Sequence, residues 1–207
     1  MVRWALCAVM ASLAAAPLAA APLSVRVVDA RGKPVRDAIV VVHPVGQRAR
    51  PMARGGPYVV SQKDLQFHPF MLVVPVGATV SFPNLDPTKH HVYSFSPAKK
   101  FELKLFAKDQ SRSVSFDKPG VVALGCNIHD SMSAFIYVTD STWTARTNAQ
   151  GTAQFTNAPD NADVVVWHPY LRAPGGQVGR RVGAGGRAQQ FALNLRPPPP
   201  MNMGNGY

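Results

Sequence analysis

Beyond residue 24 the chain never keeps apolar residues at helical spacing for the length of a helix. It offers short β-branched and apolar runs instead: SVRVV, AIVVV, MLVVPV, ATVSF, HVYSF, SVSF, VVAL, AFIYV and DVVVW. Between them stand the turn-formers DARGKP, NLDP, DKPG, TNAQG and APDN. Runs of this length, bounded by Gly, Pro, Asn and Asp, read as strands that bury one face against a second sheet. The prediction is an all-β chain of sandwich type.

The first residues, MVRWALCAVMASLAAAPLAAAPLS, carry Arg3, an Ala- and Leu-rich apolar run, and small residues at Ala19, Ala20 and Ala21. That layout predicts a secretory signal peptide over 1–21, export to the periplasm and no stable membrane insertion. Cys7 leaves with it, so Cys126 is the one cysteine of the mature chain and no intramolecular disulfide forms. In an oxidising compartment such a thiol is either buried and inert or bound.

Residues 57–139 form a strand-dense block around Cys126. On either side, SVRVVDARGKPVRDAIVVV and TARTNAQGTAQFTNAPDNADVVVWHP resemble the two halves of a carboxypeptidase-regulatory or transthyretin-like β-sandwich. The organisation expected is a first flank over 22–56, the block inserted at 57–139, a second flank over 140–196 and a Pro-rich disordered tail over 197–207. RAPGGQVGRRVGAGGRA reads as a glycine-rich loop, and Met201 and Met203 as part of the tail. The formal net charge is +11, with Lys99, Lys100, Lys104, Lys108, Arg112 and Lys118 concentrated in one region. A basic exported protein suits an acidic partner or an anionic membrane surface. Export and the lack of a basic patch interleaved with aromatics argue against nucleic acid.

The chemistry centres on GCNIHDSM, where Cys126, His129 and Met132 follow one another at steps of three. A helix would spread them around its axis. Here GVVALG runs in and SAFIYV runs out, so the connection between two strands can curl and bring the three side chains to one point. Thiolate, imidazole and thioether are soft or borderline donors that favour copper. A second imidazole is available in ATVSFPNLDPTKHHVYSF. Alternation puts His90, Val92 and Ser94 on one face and His91, Tyr93 and Phe95 on the other, so one histidine faces the Cys126 loop. His90 is the choice, with His91 as the alternative.

At this point the block resembles the cupredoxins, the blue-copper family of plastocyanin, pseudoazurin and amicyanin. The matching features run in family order: Phe67 and Pro69, V-x-V-G-x-x-V-x-F-x-N from Val74 to Asn84, and His90. Then come Phe116 with Pro119 and Gly120, and finally Cys126, His129 and Met132. HHVYSFS and LGCNIHD are similar to exported methylamine-utilisation-like proteins. The resemblance implies a Greek-key sandwich and a type I copper site: Cys126, His90 and His129 in a trigonal plane, with Met132 axial. It implies one-electron transfer. Asp130 stands where relatives often carry Pro, Val122 and Leu124 where they often carry aromatics, and His91 where they carry Asn.

His68, His43 and His168, each before a proline, read as strand-edge or turn residues, and Asn84 and Asp86 as shaping the turn before His90. No phosphate loop, acid–base carboxylate pair or Ser-His-Asp signature is present, and four protein donors would leave no open metal position for a substrate. The expectation is a periplasmic copper protein that carries single electrons and is not an enzyme. The alternatives are a copper carrier or buffer serving an exported enzyme, and a non-metal β-sandwich interaction module with a buried cysteine.

Overall fold

Residues 22–183 and 186–198 are described in the computed structural model. Residues 1–21, expected to be a signal peptide and containing Cys7, lie outside the described residues, as do Met201 and Met203. In chain order the strands are β1 (Leu23–Asp29), β2 (Ile39–Pro44), β3 (Tyr58–Val59), β4 (Ser61–Lys63), β5 (Gln66–His68) and β6 (Met71–Pro75). They continue as β7 (Ala78–Pro83), β8 (His90–Ser96), β9 (Lys99–Phe106), β10 (Ser111–Phe116), β11 (Gly120–Cys126) and β12 (Ser133–Thr139). The last five are β13 (Thr144–Arg146), β14 (Thr152–Phe155), β15 (Ala162–Trp167), β16 (Gln177–Val182) and β17 (Ala188–Leu193). Among the described residues the one helical element is a 3-10 turn at Pro174–Gly176. The all-β class read from the sequence holds.

A five-stranded sheet, ordered β6-β12-β11-β8-β9, faces a three-stranded sheet, β10-β7-β3. Alternate residues of the two meet in a core that includes Val80, Phe82, Phe116, Val122, Leu124 and Ile136. Phe82 and Phe116 are fully buried, and burying each contributes about 1.5–3 kcal/mol against conformational entropy. The inner face of this sandwich also holds Cys126 and Met132.

The second pair of sheets is ordered β14-β1-β17 and β13-β2-β15-β16. Its core takes Leu23, Val25 and Val27 from β1, Val40 and Val42 from β2, Val164 and Val166 from β15, and Phe191 and Leu193 from β17. The turn at Gly151 explains one glycine. At its φ of +70° an added Cβ would lie 2.4 Å from the Val27 carbonyl oxygen, so another residue there is both strained and obstructed.

The continuous apolar run of β2 has a direct cause. Val40 and Val42 point into the second core, while Ile39 and Val41 join Met71 and Trp167 in a separate cluster. Phe70, Val73, Val121, Phe135 and Tyr137 pack against that cluster. The outer face of the five-stranded sheet is thereby partly covered, and a strand buried on both faces loses the polar alternation. Hydrogen bonds tie the crossing: Ser141 Oγ donates to the Val42 carbonyl at 2.8 Å, and Arg146 Nη1 to that of Met71 at 3.2 Å.

One sequence expectation fails. The segment read as a glycine-rich loop contains β16, which pairs antiparallel with β15 from Ala162↔Val182 to Trp167↔Gln177. Tertiary pairing overrides composition: the VVVW strand needs a partner on that edge. Side chains of β16 find places too, since Arg181 forms a fork on Asp163 at 3.0 and 3.1 Å and Arg180 lies 4.3 Å from the Phe191 ring centre.

Candidate metal centre

The site lies where β8 begins and β11 ends, two strands that pair at Gly125↔Tyr93 and Cys126↔Val92. Alternation along β8 buries His90, Val92 and Ser94 and leaves His91 and Tyr93 partly exposed. The connection from Cys126 to Ser133 is not helical. It curls, with the Asn127 amide donating to the His91 carbonyl at 3.2 Å and the Met132 amide to that of His129 at 3.0 Å.

That curl brings His90, Cys126 and His129 together, with one ligand atom from each lying within 4.8 Å of the others. Cys126 Sγ is 3.7 Å from Nδ1 of His90 and 3.7 Å from Nδ1 of His129. The ring centres are 5.0 Å apart. Donors about 2.3 Å (sulfur) and 2.1 Å (nitrogen) from a shared ion are at most about 4.4 Å apart, so both separations fit one ion. His90 and Cys126 are buried, and His129 is partly exposed at the rim. Met132 is buried at 2 % exposure in the same core. His91 is not in this group; its Nε2 meets Glu102 at 3.0 Å on the other face of the strand. Asp130, next to His129, is exposed.

The sequence treated Asp86 as a turn residue. Its carboxylate, 4 % exposed, holds His90 Nε2 at 2.7 Å and accepts the amides of Asp64 and Leu65 at 2.6 and 3.1 Å. Asp64 and Leu65 both have φ of 55°, a conformation that non-glycine residues adopt at a cost. The carboxylate accepts from Nε2 of His90, and the ring's other nitrogen, Nδ1, faces Cys126 Sγ. Carboxylates commonly orient metal-binding histidines in this way. The loop is itself fixed, because Asn84 Oδ1 accepts the Asp86 amide at 2.9 Å and Nδ2 reaches the carbonyls of Thr88 and Phe106. The cue available in the sequence was an acidic residue four before the histidine, but outside a helix that spacing carries no contact rule.

Partial burial and the nearby His90 ring hold the His129 pKa below its usual 6.5, against the pull of Asp86. Near neutrality the ring is therefore an uncharged donor. Of the other histidines, His68 is exposed on β5, with Nε2 3.2 Å from the Lys63 carbonyl oxygen. His168 is buried after β15, where its Nδ1 accepts the Tyr170 amide at 3.2 Å. A cysteine sulfur and two imidazoles are soft or borderline donors that suit copper better than hard cations.

No family model and no curated protein matches the chain. Among solved structures it is similar to a mutant of amicyanin in its reduced Cu(I) form, at 22 % identity and a TM-score of 0.38, covering 48 % of this chain and 98 % of that one. It is similar to a purple cupredoxin from Nitrosopumilus maritimus at 20 % identity and a TM-score of 0.37, covering 40 % of this chain and 100 % of that one. A copper-containing nitrite reductase from Thermus scotoductus SA-01 is similar at 25 % identity and a TM-score of 0.39, covering 56 % of this chain and 28 % of that one.

Proposed function

We propose that this protein is a periplasmic copper-binding protein that carries single electrons. His90 and His129 would hold the ion through Nδ1 and Cys126 through its thiolate, with Met132 as a further, weaker donor. The observation that carries the reading is the convergence of Cys126 Sγ and two Nδ1 atoms, one of them aimed by a buried carboxylate. Bound copper supplies one-electron chemistry, and metal binding itself keeps the cysteine deprotonated. His90 and Cys126, held on two paired strands, would move little between oxidation states. Among the described residues no helix is long and apolar enough to cross a membrane; the signal motif at 1–21 supports the periplasmic assignment. The copper-binding block is assigned to residues 57–139 within a second sandwich built from 22–56 and 140–196, and the two separate cores support that division.

Titrating Cu(II) into the purified protein, with visible absorption and EPR recorded beside a Cys126→Ser variant, tests the site. An intense thiolate-to-copper band with narrow hyperfine splitting is expected, and both should vanish in the variant. A spectrum without that band, or one the variant leaves unchanged, returns Cys126 to the core as an inert residue. Retention of copper through repeated reduction separates an electron carrier from a copper carrier, which would release it.

A further inference from the structure

Part of the outer face of the five-stranded sheet is left open. Phe135, Tyr137 and Val121 pack under the second sandwich, but the strip along β8 and the adjoining part of β11 does not. There Tyr93, Phe95, Ser96, Ala123 and Gly125 line a shallow groove of about 340 Å³. Phe95 is 76 % exposed, although a strand position beside an apolar groove could carry a polar side chain at no structural loss. Single exposed apolar residues are ordinary, whereas an aromatic on a continuous apolar strip points to a contact surface.

The strip leads inward to the metal centre. Gly125 precedes Cys126 in the chain, and Tyr93 lies directly across from it. A Cβ on Gly125 would be 2.7 Å from Cζ and 2.8 Å from the hydroxyl oxygen of Tyr93. Only glycine lets that ring rest against the backbone one residue from the thiolate. Phe95 follows, its ring centre 5.1 Å from that of Tyr93. On β11 itself, Val122 and Leu124 are inward-facing aliphatics, so the aromatic groups beside Cys126 come from β8.

We propose that Tyr93 and Phe95 form the route by which an electron passes between solvent and the Cys126 thiolate, and that an acidic one-electron partner docks on this strip. This rests on the copper reading above. Electronic coupling decays more slowly through bonds and packed rings than through gaps, and here covalent bonds and ring contacts reach from Cys126 to an exposed ring. Charge selects the partner. Lys100 is paired with Phe95 across the strands and Lys104 is exposed farther along β9. Glu102 is occupied by His91, and the chain carries a net charge of +11. At the other approach, beside His129, the exposed Asp130 disfavours an acidic protein.

Two measurements test the proposal. The first adds hexacyanochromate(III), a redox-inert paramagnetic anion, to metal-free protein and records NMR line broadening. Broadening centred on Tyr93, Phe95, Lys100 and Ala123 is expected; broadening confined to Ile128 and His129 overturns the docking surface. The second follows reduction of the copper-loaded protein by hexacyanoferrate(II). One electron leaves iron(II), giving iron(III) and converting Cu(II) to Cu(I), with no bond made or broken. Phe95→Ala should slow this about fivefold and Lys100→Glu about tenfold at low salt, with the thiolate-to-copper band unchanged. Unchanged rates with the band intact overturn the route. If unaltered protein shows no such band, the copper reading has failed first and the route falls with it, so the two failures are distinguishable.

Discussion

Asp86→Asn is an isosteric change whose cost follows from the hydrogen bonds around one carboxylate. Two buried oxygens accept three donors: the Asp64 and Leu65 amides and His90 Nε2. An Asn side chain supplies one oxygen and one NH2 group. Placing that oxygen toward Leu65 and His90 turns the NH2 against the Asp64 N–H, and the opposite placement obstructs two donors instead of one. At least one buried donor is orphaned, which costs about 1–3 kcal/mol, and the surviving bonds lose their charge assistance, roughly 1 kcal/mol more. The expected loss of stability in metal-free protein is about 3 kcal/mol. Urea unfolding followed by circular dichroism should show it as a fall of about 1–2 M in midpoint, given ordinary denaturant slopes. Copper affinity, measured by competition with a chelator, should fall about 10–100-fold because His90 loses its aim. A variant with the parental midpoint and affinity would refute the reasoning and reduce Asp86 to a turn residue.

His168 should make stability depend on pH. Burial lowers its pKa to about 4, against the opposing pull of Asp37, so below pH about 6.5 the unfolded chain takes up a proton before the folded one does. The stability present above that pH is therefore lost progressively as pH falls to about 4. The full linkage value is about 3 kcal/mol, reduced to about 2 kcal/mol by solvent at the open side of the ring, and His168→Gln should flatten the profile in thermal melts. Trypsin should cut after the exposed Arg48 and Arg54, yet the fragments should co-elute without denaturant. β1 and β2 remain paired with β14, β17, β13 and β15, and spontaneous separation would show that the flanks do not form one folded unit.

Local pattern was enough for the class and for much of the site. Short branched runs between turn residues determine strands whatever their neighbours, because alternation and turn chemistry act within a few residues. Cys126 and His129 could be grouped from spacing because they share one connection, and alternation placed His90 on the buried side of β8 and His91 on the other. What the sequence could not show depended on segments distant along the chain. The role of Asp86 needs the Asp64–Leu65 turn, about twenty residues away, to point two amides at it. β16 exists because β15 requires an edge partner, against a composition that reads as loop. Part of the outer face of the central sheet is covered by Trp167 and Ile39, from segments far apart in the chain, and that coverage leaves the Tyr93–Phe95 strip open. Hydrophobic burial is non-directional, so a sequence states how much apolar surface must be covered; only the tertiary structure decides which segment covers it.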